Sequence, residues 1–282
     1  MTLTALPVLA LVFGACNTPS TPSSETPRGR TMYATTQDNR MTTFGSENPS
    51  TSAKTVSFTG TASGEVMVGL DFGPKDGKLY GISNQSRLYT VNTSTGAVTA
   101  VGSATFEPAL TGSSFGFDFN PVANRIRVHS NTGFNARLNQ DLGIIIDFDL
   151  TTPGIQADTS LVYNTGDSGA GMTPSLVATA YTNSNATATS TMLYAIDSSR
   201  DVLVRIDNPN DGKITTVGSL GVDTTAAAGF DISGAADGTA FAVLTSSAAT
   251  SSLYTINLTT GQATLVGAVG SNLTLTGVAI AP

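Results

Sequence analysis

Residues 69–83 read GLDFGPKDGKLYGIS, and residues 116–130 read GFDFNPVANRIRVHS. The same outline returns after 47 residues: Gly, an apolar residue, Asp, Phe, a Pro-containing turn, then a second apolar strand. Two short strands joined by a Gly/Asn/Pro turn read as an antiparallel hairpin. Further copies of the leading strand, here strand a, are Gly229-Phe230-Asp231-Ile232 and the degenerate Ala178-Thr179-Ala180-Tyr181.

The second strand of the hairpin, b, recurs as Met32–Thr35, Leu79–Ile82, Ile126–His129, Leu193–Ile196 and Phe241–Leu244, in steps of 47, 47, 67 and 48 residues. The long step holds an insertion at roughly 151–175. Strand c follows each b by 9 to 12 residues: Met41–Phe44, Leu88–Val91, Ala136–Asn139, Leu203–Ile206 and Leu253–Ile256. Turns such as Thr95-Gly96 and Thr260-Gly261 then lead into strand d, at 97–102, 214–218 and 263–267. A fixed period of this length is the mark of a repeat architecture.

The two ends of the chain decide which one. The first unit has b, c and d but no a; the last residues, Gly277-Val278-Ala279-Ile280, are an a with nothing after it. The spare strand supplies the missing one, so the repeats close into a ring and leave few exposed strand edges. The expected fold is an all-β propeller of five four-stranded blades, with six blades as the alternative count. A sandwich or an open solenoid leaves the matched ends unexplained.

GFDFNP followed by RIRVHSNTGFNARLN resembles a bacterial family known as domain of unknown function 4394, with SFGFDFNPVANRIR its most specific part. The resemblance covers most of residues 31–282. It implies a propeller-like fold and members that are often secreted or lipid-anchored. It implies no activity and brings no catalytic residues.

Composition agrees with an all-β chain. Charged residues are 12% of 282, with abundant turn formers and only four Lys and four Glu, too few for long solvated helices. The net charge of −7 disfavours nucleic acid and anionic lipid headgroups as partners and is compatible with cations, basic proteins or neutral sugars.

Residues 3–15 form an apolar run, short for a bilayer span but suited to a signal-peptide core. Gly14-Ala15 puts small side chains before Cys16, the single cysteine of the chain. This resembles a bacterial lipoprotein signal, with Phe13 in place of the usual Leu and no basic residue ahead of the core. Residues 1–16 are therefore expected to be a signal segment with Cys16 lipidated, 17–30 a Pro/Ser/Thr tether, and 31–282 the propeller. The expected location is outside the cytoplasm on a membrane anchor, with plain secretion as the second reading.

Strand a should line the central channel, which brings Asp71, Asp118 and Asp231 to one axis. The leading reading is structural: each buried carboxylate accepts backbone N–H groups from a neighbouring blade. The second is a hard-cation site, for which calcium is the cofactor of choice; no cofactor is otherwise expected. Blade three concentrates Arg125, Arg127, His129, Asn131, Asn135, Arg137 and Asn139. Arg127 and Arg137 are candidate channel ligands or structural ion pairs, since guanidinium and amide groups recognise carboxylates and sugars. The hairpin register places Asp71 opposite Tyr80 and Asp118 opposite Arg127, and predicts an Asp118–Arg127 ion pair near the channel.

No Gly-x-Ser-x-Gly elbow, paired-histidine zinc motif or phosphate loop is present. Asp207–Gly212 lacks the closing Glu of a calcium loop and reads as a hairpin turn. The leading expectation is a monomeric, non-catalytic binding or scaffold module for a small molecule, sugar or protein. The alternative is a metal-dependent hydrolase or lyase working at the channel mouth.

Overall fold

The computed structural model describes residue 1, residues 24–247 and residues 250–282. Cys16 and the rest of the expected signal segment beyond Met1 lie outside them. In chain order the strands are β1 (Thr31–Thr36), β2 (Arg40–Gly45) and β3 (Lys54–Ser57); β4 (Met67–Phe72), β5 (Leu79–Ser83), β6 (Leu88–Val91) and β7 (Val98–Ala100); β8 (Phe115–Asn120), β9 (Arg125–Ser130), β10 (Asn135–Asn139) and β11 (Ile144–Ile145). There follow β12 (Val162–Tyr163), β13 (Leu176–Tyr181), β14 (Leu193–Asp197), β15 (Val202–Asn208) and β16 (Lys213–Ser219); β17 (Ala228–Ile232), β18 (Ala240–Thr245), β19 (Ser251–Ile256) and β20 (Ala263–Ala268); and β21 (Leu275–Ile280).

These strands make five sheets, the five blades of a propeller. The first is ordered β21-β1-β2-β3, so the last strand of the chain is the innermost strand of blade one, antiparallel to β1 with Ala34 opposite Val278. Inner strands β21, β4, β8, β13 and β17 each touch the next around the axis, and β17 returns to β21. Ring closure by the C-terminal strand is thus observed, and the blade count is five.

Second strands such as β5 and β18 are buried along their whole length. A blade is covered on both faces, so its middle strands read as continuous apolar runs instead of alternating ones. The core is accordingly split into layers between blades. One layer joins Tyr80 and Ile82 of blade two to Phe117, Phe119 and Ile126 of blade three; another joins Met32 and Phe44 of blade one to Val243 and Leu253 of blade five.

The outer hairpins are fixed by side-chain turn chemistry. Asn92 Oδ1 accepts N–H bonds from Ser94 and Thr95, and Asn257 Oδ1 does the same for Thr259 and Thr260. This is the turn an Asn makes when it hydrogen-bonds the backbone two residues on.

Two details depart from the expectation. Blade four has five strands, because the insertion contributes β12, parallel to the outer strand β16. The same insertion packs Leu161 and Tyr163 against blade four, and Leu161 N–H donates to Gly133 O of blade three. It thus forms part of the layer between blades three and four. The second departure is at the tether: Glu25 N–H donates to Thr51 O, Arg28 N–H to Asn48 Oδ1, and Arg30 Nη2 to both carboxylate oxygens of Asp237 of blade five. The end of the segment assigned as a spacer is bonded to the ring. Among the described residues no helix is long and apolar enough to cross a membrane.

Candidate functional site

The glycine of the Gly-x-Asp pattern, present in three of the five inner strands, has a geometric cause at two of them. A Cβ on Gly116 would lie 2.8 Å from the backbone N of Thr179, and one on Gly229 would lie 2.5 Å from the backbone of Gly277. At these two positions the neighbouring inner strand approaches too closely for a side chain, whereas β13 carries Ala178 at the same level. Two positions on, the carboxylates converge: one oxygen from each of Asp71, Asp118 and Asp231 lies within 4.8 Å of the others, and all three residues are buried.

These three carboxylates serve five strands. The next backbone N–H of every inner strand ends on one of them. Asp71 accepts from Phe72 of its own blade and Phe119 of blade three, both at 2.7 Å. Asp118 accepts from Tyr181 of blade four at 2.8 Å. Asp231 accepts from Ile232 of its own blade and Ile280 of blade one, both at 2.6 Å. Where the preceding blade carries Ala180 or Ala279, the Asp of the following blade turns one oxygen onto its own chain. That is why three carboxylates suffice.

Burial pushes Asp71 and Asp118 well above the ordinary carboxyl range, and the neighbouring carboxylates push them further. Burial also raises Asp231, to about 7, against the opposing effect of its two N–H bonds. Three like charges at this spacing repel strongly unless a proton or a cation intervenes. Each carboxylate oxygen carries a second lone pair beyond its N–H bond. Asp71 and Asp231 also border a cavity of about 20 Å³ under Pro74, Ser184, Gly234 and Pro282. A space of that size holds one water or one ion. Oxygen donors from three carboxylates match the preference of a hard cation. At the opposite end the channel widens to about 330 Å³, with Gln37, Val66, Val68 and Ala227 among its lining and no ionisable side chain.

The expected register is present: Asp71 lies opposite Tyr80, and Asp118 opposite Arg127. The expected Asp118–Arg127 ion pair is not. Arg127 Nη1 instead donates to Asp158 Oδ2 at 2.5 Å and to Asn135 Oδ1 at 2.9 Å, and its Nη2 to Asn210 Oδ1 at 2.7 Å. Arg137 grips the same Asp158 through Nε and Nη2. Asp158 lies in the inserted segment, which brings a buried carboxylate to β9 and β10, while Asp118 is already taken by the backbone of blade four. Neither Arg127 nor Arg137 borders the axial cavities. Both line a separate pocket of about 390 Å³ between blades three and four.

His129 is wholly buried beside this network, and neither ring nitrogen has a hydrogen-bond partner among the described residues. Asn135 is spent on Arg127, Thr159 O and Pro209 O. Burial, and then the Arg127 charge, hold the imidazole well below its usual range, so it is neutral. Asp158 and Asn210 were missed in the sequence; the long step between the third and fourth b strands was the only signal for the first. Asn210 sits in the short 3₁₀ turn Pro209–Asp211 that joins β15 to β16, the segment read as a hairpin turn.

A propeller with carboxylates gathered on its axis is the class that fold and site define. The model of the family described as a domain of unknown function, DUF4394, matches residues 40–279, and the chain belongs to that family. Among solved structures it is similar to a chain of a nidogen/laminin complex, at 12% identity and TM-score 0.51, covering 90% of this chain and 98% of that one. It is also similar to a structural genomics protein of unknown function from Bacteroides thetaiotaomicron, at 14% identity and TM-score 0.50, covering 90% of this chain and 64% of that one. At such identities the likeness is one of fold. No curated protein matches the chain.

Proposed function

We propose that this chain is an extracytoplasmic β-propeller that holds a divalent cation of the calcium class on its axis. The observation that carries this is the convergence of the Asp71, Asp118 and Asp231 oxygens within 4.8 Å of one another. A bound dication would offset three buried negative charges and tie blades two, three and five together, leaving the outer faces free to act as a binding or scaffold surface. Asp71, Asp118 and Asp231 would each supply one carboxylate oxygen.

The same convergence favours a second reading, a metal-dependent hydrolase or lyase at the channel mouth. In it the cation would polarise a carbonyl or activate water. Metal analysis and calorimetric titration test both. The expected result is one calcium ion per chain and saturable binding that Asp118→Asn weakens by about tenfold or more. No divalent ion and no heat of binding would remove both readings. Calcium binding without turnover of ester or glycoside substrates selects the first; turnover that is lost in the same variant selects the second.

The location rests on Cys16 and the small pair Gly14-Ala15 before it. Cys16→Ser is expected to move the protein from the membrane fraction to the soluble fraction. Retention of a processed Cys16→Ser protein on membranes would remove the lipid anchor.

A further inference from the structure

The pocket between blades three and four is distinct from the axial cluster. Its volume of about 390 Å³ falls in the range of small-molecule sites, roughly 300–1,000 Å³. Arg125, Arg127 and Arg137 line it, together with Asn120, Asn208 and Asn210. The charges do not balance. Arg127 and Arg137 share the single carboxylate of Asp158, whose side chain is wholly buried. Among the described residues Arg125 meets only neutral oxygens, Asn124 O at 2.8 Å and Gln140 Oε1 at 3.4 Å. Asp158 lies behind the lining, and the carboxylate within it, Asp211, is exposed at the rim. Three guanidiniums thus face two carboxylates, in a chain whose overall charge is −7.

Arg127 adds a second sign of an unfinished network. It is 3% exposed, yet its Nε has no hydrogen-bond partner among the described residues. A buried guanidinium ordinarily finds acceptors for its donors. The three asparagines keep spare capacity as well. Asn120 Oδ1 is used by the N–H groups of Val122 and Ala123, and Asn210 Oδ1 by Arg127, which leaves both amide NH₂ groups as free donors. The side chain of Asn208, exposed at the pocket edge, makes no hydrogen bond among the described residues.

We propose that this pocket binds a sugar acid, a ligand that carries a carboxylate next to several hydroxyls. The carboxylate would take the surplus guanidinium charge at Arg125 and Arg137, where planar N–H pairs match a carboxylate. The hydroxyls would be read by the amides of Asn120, Asn208 and Asn210, which both donate and accept. Ile126 and the buried Tyr181 supply the apolar floor. Blade two has no equivalent, because Tyr80 stands where Arg127 does and no insertion supplies a carboxylate.

The test is calorimetric titration of the whole propeller with sodium glucuronate, a short oligomer of uronic acids, glucose, acetate and phosphate. The expected result is saturable binding of glucuronate or of the oligomer, with the other three weaker by about tenfold or more. Tighter binding of the oligomer than of the monomer marks a polysaccharide as the source, and the reverse a free sugar acid. Arg125→Gln is expected to weaken binding by about tenfold or more. Should that variant fail to fold, Asn208→Ala, on an exposed side chain, is expected to weaken it severalfold. Absence of saturable binding to either uronic acid overturns the proposal. So does glucose or phosphate binding equally well, or affinity unchanged in the folded variants.

Discussion

Blades two and three start from the same fifteen-residue outline and share the same register, and they use it differently. In both, the inner Asp turns to backbone N–H groups near the axis, Asp71 to Phe72 and Phe119, Asp118 to Tyr181. In both, the residue opposite avoids that Asp. Tyr80 donates its hydroxyl to Asp76 in its own hairpin turn, and Arg127 reaches Asp158 in the insertion. The inner strand repeats because every blade has the same backbone problem at the axis. The second strand diverges because its long side chains are answered locally, by whatever the connecting segments bring. A repeat therefore specifies the ring, and the departures from it mark where one blade acquired chemistry the others lack.

The largest effect is expected from the part of the repeat that both blades depend on. Deleting residues 275–282 removes β21, leaves β1 without its inner neighbour and takes from Asp231 the N–H donor of Ile280. Two blade edges are then open to aggregation. Circular dichroism and differential scanning calorimetry should show loss of the cooperative transition. A truncated chain that melts like the intact one would break the ring argument.

Next in size is the contrast between the two second strands. Asp158→Ala leaves the buried Arg127 and the half-buried Arg137 without their carboxylate, and should cost about 3–5 kcal/mol in urea denaturation. The blade-two counterpart, Tyr80→Phe, removes one hydrogen bond of 2.8 Å to Asp76 and should cost about 0.5–1.5 kcal/mol. Equal costs would mean that the Asp158 network is not the special feature of blade three.

Much of this was legible in the sequence, for a definable reason. Register, closure and blade number follow from periodic apolar runs and from Gly116 and Gly229, which backbone packing enforces. The convergence of Asp71, Asp118 and Asp231 follows from the same period once the ring is known. The partner of Arg127 was not legible. An Asp opposite an Arg in register is a reasonable ion pair, but Asp118 already serves the Tyr181 N–H, and Asp158 comes from a non-repeating segment 31 residues away. Asn210, 83 residues from Arg127, belongs to a turn of the next blade and carries no periodic signal.

The axial carboxylates give the most direct measurement of the central claim. Their folded-state pKa values lie above the unfolded ones, so in metal-free protein their contribution is most favourable below about pH 4. It is lost as pH rises through their raised folded-state values, for Asp231 about 7. His129 has the opposite sign, because its folded pKa is depressed: its contribution is present above about pH 6.5 and is lost as pH falls. Comparison with Asp118→Asn isolates the axial term. In chelator-treated protein this variant should be more stable than the wild type at pH 7, with the difference shrinking toward pH 4. Calcium at pH 7 should raise the wild-type Tm and reverse the order of the two proteins. If calcium leaves the wild-type Tm unchanged at pH 7, the axial cluster is held by protons and N–H bonds alone, and the cation is wrong.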